Sequence, residues 1–197
     1  MTKTEILDKA IELFNERGYA AVSMRDIADA LGKSVGNITY HYKKKADLIQ
    51  AIVERQYGEL EELELSDKTD LNGLDKQLVS MLDIQGRFRF YFIAILDLRN
   101  EFPMIAEFQA KVRQRLIKHF DLLFGHFVEV GIFRPFRDRT QRKSIAGAVV
   151  YLMMSWIQQN GNSENGDERE QIDIVWALVY SNLTEKGIAQ YRKQIAK

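Results

Sequence analysis

Residues 23–45 read SMRDIADALGKSVGNITYHYKKK, and the segment divides itself into two short helices joined by a tight turn. Ser23 followed three residues later by Asp26 is a capping pair; Ile27, Ala28 and Leu31 then share an apolar face, and Gly32 ends that helix. Ser34 caps the next helix through about Tyr42, with Ile38 and Tyr42, four apart, anchoring it to a core. The remaining side chains, Val35, Asn37, Thr39, Tyr40 and His41, are small, amide, hydroxyl or aromatic, and Gly36 has none. From Lys33 to Lys45 there are four lysines and no acid. Upstream, Thr2 and Glu5 form a capping box for a first helix through Ile6, Ala10, Leu13 and Phe14, which Gly18 stops. Three short helices with this turn have the lengths of a helix-turn-helix, whose second paired helix enters the DNA major groove. The acid-free lysine cluster is what phosphate neutralisation requires. The same lysines read alone are a solvated turn, and the three helices alone a packing module.

Outward from this segment the chain stays helical. Its 197 residues are one large domain or two small ones, 46% hydrophobic and 28% charged, with only 2 prolines and 12 glycines, so long uninterrupted elements are expected. The 28 basic and 28 acidic residues cancel, and with no cysteine there is neither a disulfide framework nor a thiolate metal site. No signal peptide or bilayer-length apolar run is present, so a cytoplasmic protein without membrane association is expected. A fourth helix begins near Ala46, and an acidic stretch leads to a linker at 65–71. Further helices are expected to open at Asn72 with Asp75, and to run from Pro103 to Gly131, from Thr140 to Gly161, and from Asp167 to at least Lys186. The block RFRFYFIAILDL after Gly86 reads as a helix apolar on several sides. The fold class is all-α, with about nine helices.

Residues 4–53 resemble the DNA-binding domain of TetR-family transcriptional regulators. The resemblance rests on Leu31-Gly32-Lys33-Ser34-Val35-Gly36-Asn37-Ile38-Thr39-Tyr40-His41-Tyr42, then Lys45 and Leu48. Thr39 stands where the family usually has tyrosine, and Lys33 where a small apolar residue is common. The resemblance implies that Val35, Gly36, Asn37 and Thr39 face base edges, that Ser34, Tyr40, His41 and Lys45 hold phosphates, and that Ser23 lies at the preceding helix start; Lys33 joins the same set. It also implies a DNA-binding domain over 1–46, and an effector-binding and dimerisation domain over 47–197.

The C-terminal part permits that architecture. Residues 85–143 hold twelve basic and six acidic side chains and many aromatics. A mainly apolar effector pocket is expected around Met81, Phe88, Phe92, Met104, Phe108 and Phe124, with Arg87, Arg89 or Arg99 available to an anionic head. Plain core packing is the alternative for each aromatic. A dimer interface is expected on the last two helices through Val149, Leu152, Met153, Trp156, Val175, Trp176, Val179 and Leu183. His119 and His126 are too far apart for one tetrahedral ion, and no catalytic or phosphate-loop motif occurs, so neither enzyme, metal nor cofactor is expected. The reading is a one-component regulator, a repressor, binding a pseudo-palindromic duplex operator as a homodimer under control of a small molecule. Its rivals are a same-fold regulator controlled by a protein partner and a helical lipid carrier.

Overall fold

The computed structural model describes residues 2–160 and 168–195, with side chains described for all of these except 156–160 and 168. The polar loop expected after Asn160 lies outside the described residues. Eleven helices and one isolated antiparallel bridge, Phe133 to Leu183, make up the described chain, which packs as two units. The first comprises residues 1–61 and 84–108, the second residues 62–83 and 109–197. This grouping differs from a division after residue 46.

In the first unit, α1 (Lys3–Arg17), α2 (Met24–Ala30) and α3 (Val35–His41) start at Thr2, Ser23 and Ser34. Both expected capping boxes form, Thr2 with Glu5 and Ser23 with Asp26. Helix α4 (Lys45–Glu62) buries Leu48, Ile49, Ile52 and Val53 and is tied to α1 by Arg55 to Asp8 at 2.5 Å. The aromatic block is helical but not continuous. Helix α5 (Leu71–Arg87) is interrupted at Phe88, just after Gly86 and Arg87, and is followed by α6 (Arg89–Ile93) and α7 (Ile95–Glu101). The break has a partner in α1: the Asn15 side-chain amide donates to the Arg87 carbonyl at 2.9 Å and accepts from the Phe90 N–H at 2.9 Å. One side chain thus satisfies two backbone groups that a helix interruption would orphan.

The second unit holds residues 71–83 of α5, most of α8 (Met104–Glu129), and α9 (Arg139–Asn160), α10 (Glu168–Tyr180) and α11 (Glu185–Gln194). Two expected caps shift by a few residues. Asp70, not Asn72, caps the helix by accepting the Gly73 N–H at 2.9 Å, and Asp138, not Thr140, accepts the Gln141 N–H at 2.8 Å. Asp75 is occupied instead by Trp176 Nε1 at 2.8 Å and Arg169 at 3.0 Å. The last expected helix is two, because residues 182–184 pair with the turn after α8. The Arg134 N–H donates to the Asn182 carbonyl at 2.7 Å, and the Thr184 N–H to the Ile132 carbonyl at 3.0 Å. Thr184 then caps α11, and Gly187 sits where a Cβ would lie 2.3 Å from the Ile132 carbonyl oxygen. Its glycine allows that approach.

A buried polar chain fixes the segment before α5. His119 Nε2 is 2.6 Å from Gln77 Oε1, Gln77 donates to the Ser66 carbonyl at 3.0 Å, and Arg115 donates to the Leu63 carbonyl at 3.1 Å. Burial holds the His119 pKa down to about 4, so the imidazole is neutral at pH 7.

The eight residues expected at a dimer interface lie differently from that expectation. Val149, Met153, Val175, Trp176, Val179 and Leu183 are buried in the core of this unit within a single chain, Leu152 is half-buried, and the Trp156 side chain is outside those described. Their helical spacing marks the inward face of α9 and α10, since each helix has one stripe to bury against α8 before any partner arrives. The aromatics named for an effector are divided. Met81 and Phe124 belong to this core, whereas Phe88, Phe92, Met104 and Phe108 belong to the first unit, where Phe108 stacks on Tyr57 at 4.5 Å between ring centroids.

Candidate nucleic-acid interface

The turn between α2 and α3 is built by backbone hydrogen bonds. The Lys33 N–H reaches the Ala28 carbonyl at 2.9 Å and the Gly32 N–H the Asp29 carbonyl at 3.0 Å, with Gly32 at φ 63°. This paired closure requires a left-handed residue, which glycine adopts without strain. It ends α2 and sends the chain directly into the Ser34 cap of α3.

Helix α3 has one buried face and one bare one. Ile38 is fully buried and Tyr42 nearly so, while Ser34, Val35, Gly36, Asn37 and Tyr40 are exposed and Thr39 and His41 half-buried. Tyr40 is 85% exposed, an unusual fate for a large aromatic, and its only described ring neighbour is His41 at 5.1 Å, edge to face. Ser34, Gly36, Asn37, Tyr40 and His41 line an open groove of about 380 Å³. Ser34 Oγ donates to Asn37 Oδ1 at 2.5 Å and accepts from the Asn37 N–H at 3.4 Å, so the helix cap also fixes the asparagine and leaves its amide N–H groups outward. Thr39 Oγ1 donates back to the Gly36 carbonyl at 3.3 Å. A Cβ at Gly36 would meet nothing closer than Ser34 Oγ at 3.6 Å. The fold itself therefore has room for a side chain at this position.

The lysines separate into two kinds. Lys33, Lys43 and Lys44 are exposed and make no ion pair among the described residues. Lys45, expected to hold phosphate, turns inward: its ammonium donates to the Tyr19 carbonyl and lies 4.0 Å from the Tyr19 ring centroid and 5.5 Å from that of Phe14. Burial lowers its pKa, against the opposing pull of Glu101 and Asp26. Tyr19 donates in turn to Glu101 at 3.1 Å, and burial, then that carboxylate, pushes its pKa up to about 12. Lys45 thus holds the start of α4 against α1, a cation–π role that residue type did not reveal. Ser23 is exposed but its hydroxyl is engaged by Asp26.

A rigid short helix, anchored by two side chains, presenting an amide, an aromatic and bare backbone amid unpaired lysines, defines a helix-turn-helix DNA-binding protein. The comparisons agree. Residues 6–52 match the model of bacterial regulatory proteins of the tetR family, and residues 49–191 that of a TetR-type bacterial transcriptional repressor. The transcriptional regulator AcrR of Shigella flexneri is 38% identical over 169 residues, covering 79% of this chain and 78% of that protein. Further curated relatives match over about a quarter of their own length. A TetR-family regulator from Marinobacter aquaeolei VT8 superposes with a TM-score of 0.84 at 22% identity over 98% of each chain. SmeT, the repressor of a Stenotrophomonas maltophilia multidrug efflux pump, in its triclosan complex gives 0.63 at 18% identity, over 93% of this chain and 92% of that one. The chain belongs to the TetR family of bacterial transcriptional regulators. It is a DNA-binding regulator rather than an enzyme, and the lipid-carrier reading falls with that. Among the described residues no cluster is suited to a metal ion, and no helix is long and apolar enough to cross a membrane.

Proposed function

We propose that the protein represses transcription as a homodimer, setting two copies of α3 into successive major-groove half-sites of a pseudo-palindromic operator, and that a small apolar molecule alters that affinity. The observation carrying the DNA half is the bare face of α3, above all Tyr40, beside unpaired Lys33, Lys43 and Lys44. Asn37, Gly36 and Val35 are assigned to base edges. Thr39 joins them with its methyl, since its hydroxyl is used internally. Tyr40, His41 and the Ser34 cap are assigned to the backbone, with the three free lysines supplying the counter-charge.

For the dimer, the outward residues of α9 and α10 replace the buried ones. Tyr151 is 59% exposed, Ile174 41% and Tyr180 37%. No Asp, Glu, Lys or Arg occurs from Ser144 to Ser155 or from Ile174 to Asn182. A charge-free surface with large exposed apolar groups is what a twofold contact buries. Sedimentation of the wild type at micromolar concentration is expected to give a dimer, and Ile174→Asp a monomer of unchanged helicity with operator affinity reduced at least about tenfold, because two half-sites are then engaged independently. A monomeric wild type would overturn the dimer reading.

The effector reading draws on SmeT, which was solved with triclosan. Within the first unit, Phe88, Phe92, Met104 and Phe108 supply uncharged apolar and aromatic groups for such a contact. Arg87, an expected receiver of an anionic head, is held by Glu59 at 2.7 Å. The effector class is accordingly apolar.

A further inference from the structure

The basic surplus of residues 85–143 finds a different outlet. In the second unit, α8 and α9 enclose an open groove of about 910 Å³. Lys118 projects into it from one helix, and Arg139 and Lys143 from the other. All three are exposed, and none makes an ion pair among the described residues. Both carboxylates at this surface are already neutralised. Asp121, on the groove floor and buried, is held by Arg142 at 2.8 Å, and Asp138, the cap of α9, by Arg137 at 3.0 Å. Gly125, one turn beyond Asp121, secures the first of these pairs: a Cβ there would lie 2.9 Å from an Arg142 guanidinium nitrogen. With Arg142 locked against α8, Lys118 on one helix and Arg139 and Lys143 on the other line the groove with no ion-pair partner among the described residues. Such an arrangement is self-repulsive until an anion enters.

The rest of the lining says what kind of anion. Gln114, Thr140 and Ser144 offer an amide and two hydroxyls, Ile117 is the one aliphatic wall, and no aromatic ring is present to stack a nucleobase. We propose that this groove is a binding site for a multiply phosphorylated polyol such as a sugar bisphosphate, its phosphates held by Lys118, Arg139 and Lys143 and its hydroxyls by Gln114, Thr140 and Ser144. Charge-assisted hydrogen bonds from three cations suit two phosphates better than one carboxylate. The helix N-terminus adds little, since Asp138 already takes its donors. The inference stands apart from the apolar effector and from DNA binding.

The test uses the full chain with fructose 1,6-bisphosphate and inorganic pyrophosphate as probes, and with fructose and sodium chloride at matched ionic strength as controls. Calorimetry is expected to give one site per chain for the bisphosphate. At about tenfold excess over Kd, Tm should rise by about 3 °C or more. Pyrophosphate should bind more weakly, and fructose and salt should give no shift. Lys118→Gln/Lys143→Gln, which changes two exposed side chains, should keep the unliganded Tm and lose at least tenfold in bisphosphate affinity. Ser144→Ala should weaken the bisphosphate more than pyrophosphate. A bisphosphate shift no larger than that of matched salt, or one unchanged in the double variant, would overturn the site. So would a double variant whose operator affinity and salt slope fall instead, because the lysines would then be contacting DNA.

Discussion

The double variant Asn37→Ala/Tyr40→Ala is expected to melt with the wild type and to lose about two orders of magnitude or more in operator affinity. The unchanged stability follows from exposure. Both side chains are on the bare face of α3, where among the described residues Tyr40 has a ring contact with His41 and Asn37 a hydrogen bond with the Ser34 cap. Surface changes away from the core cost about 0.5 kcal/mol or less. The Ser34 hydroxyl still accepts the N–H of residue 37, so the helix start survives. The affinity loss has two parts. Asn37 presents amide donors to a base edge, a contact worth roughly 1–3 kcal/mol, and its removal relaxes specificity at one position. Tyr40 contributes hydroxyl and ring contacts to the backbone, which weaken binding on all sequences alike. Fluorescence anisotropy with the selected operator and a scrambled duplex separates the two, because only the asparagine component disappears on scrambled DNA. Unaltered affinity on the operator would remove α3 from the interface.

Asp75→Ala should be the most damaging single change to the second unit. The carboxylate accepts from Trp176, which is almost wholly buried, and from Arg169, nearly a hundred residues away in sequence. Truncation leaves the buried indole N–H without its acceptor and loosens a ring packed edge-on against Tyr191 at 5.2 Å. Arg169 retains Asp173 at 2.9 Å, so the loss comes mainly from the indole. A cost of roughly 2–4 kcal/mol is expected, about 5–12 °C in Tm for a chain of this size. Asp75→Asn keeps an oxygen for the indole and should cost about half as much. Equal losses for the two variants would mean that the charge pair, not the indole contact, carries the stability.

Asp75 also illustrates how much of this protein is legible from its sequence. Many locally closed features are announced by the sequence: Thr2, Ser23 and Ser34 cap as their spacing implies, Gly32 turns the chain, and Ile38 and Tyr42 are buried as four-apart anchors, while the caps at Asp70 and Asp138 fall just before the expected residues. Such features depend on residues within one turn of each other. Asp75 looks like a cap by the same local rules, but its partners arrive from α10. Lys45 has the charge of a phosphate ligand, yet Tyr19 and Phe14 claim it, and only the packing of α4 on α1 reveals this. The apolar stripes of α9 and α10 were visible, but spacing alone cannot say whether a stripe meets its own core or a partner. Here one stripe is inward, and a charge-free remainder that includes Tyr151, Ile174 and Tyr180 is left outside. Gly187 and the Gln77–His119 chain had no local signature, since each is defined by a backbone carbonyl or side chain far along the sequence.

The central claim is that two copies of α3 read two major-groove half-sites. Footprinting of the wild type on an operator selected from random duplexes, combined with methylation interference at guanine N7, tests it most directly. Two protected half-sites related by a pseudo-twofold are expected, centred one helical turn or a small multiple apart, with N7 methylation in each blocking binding. Protection without half-sites, or binding indifferent to N7 methylation throughout the footprint, would contradict it.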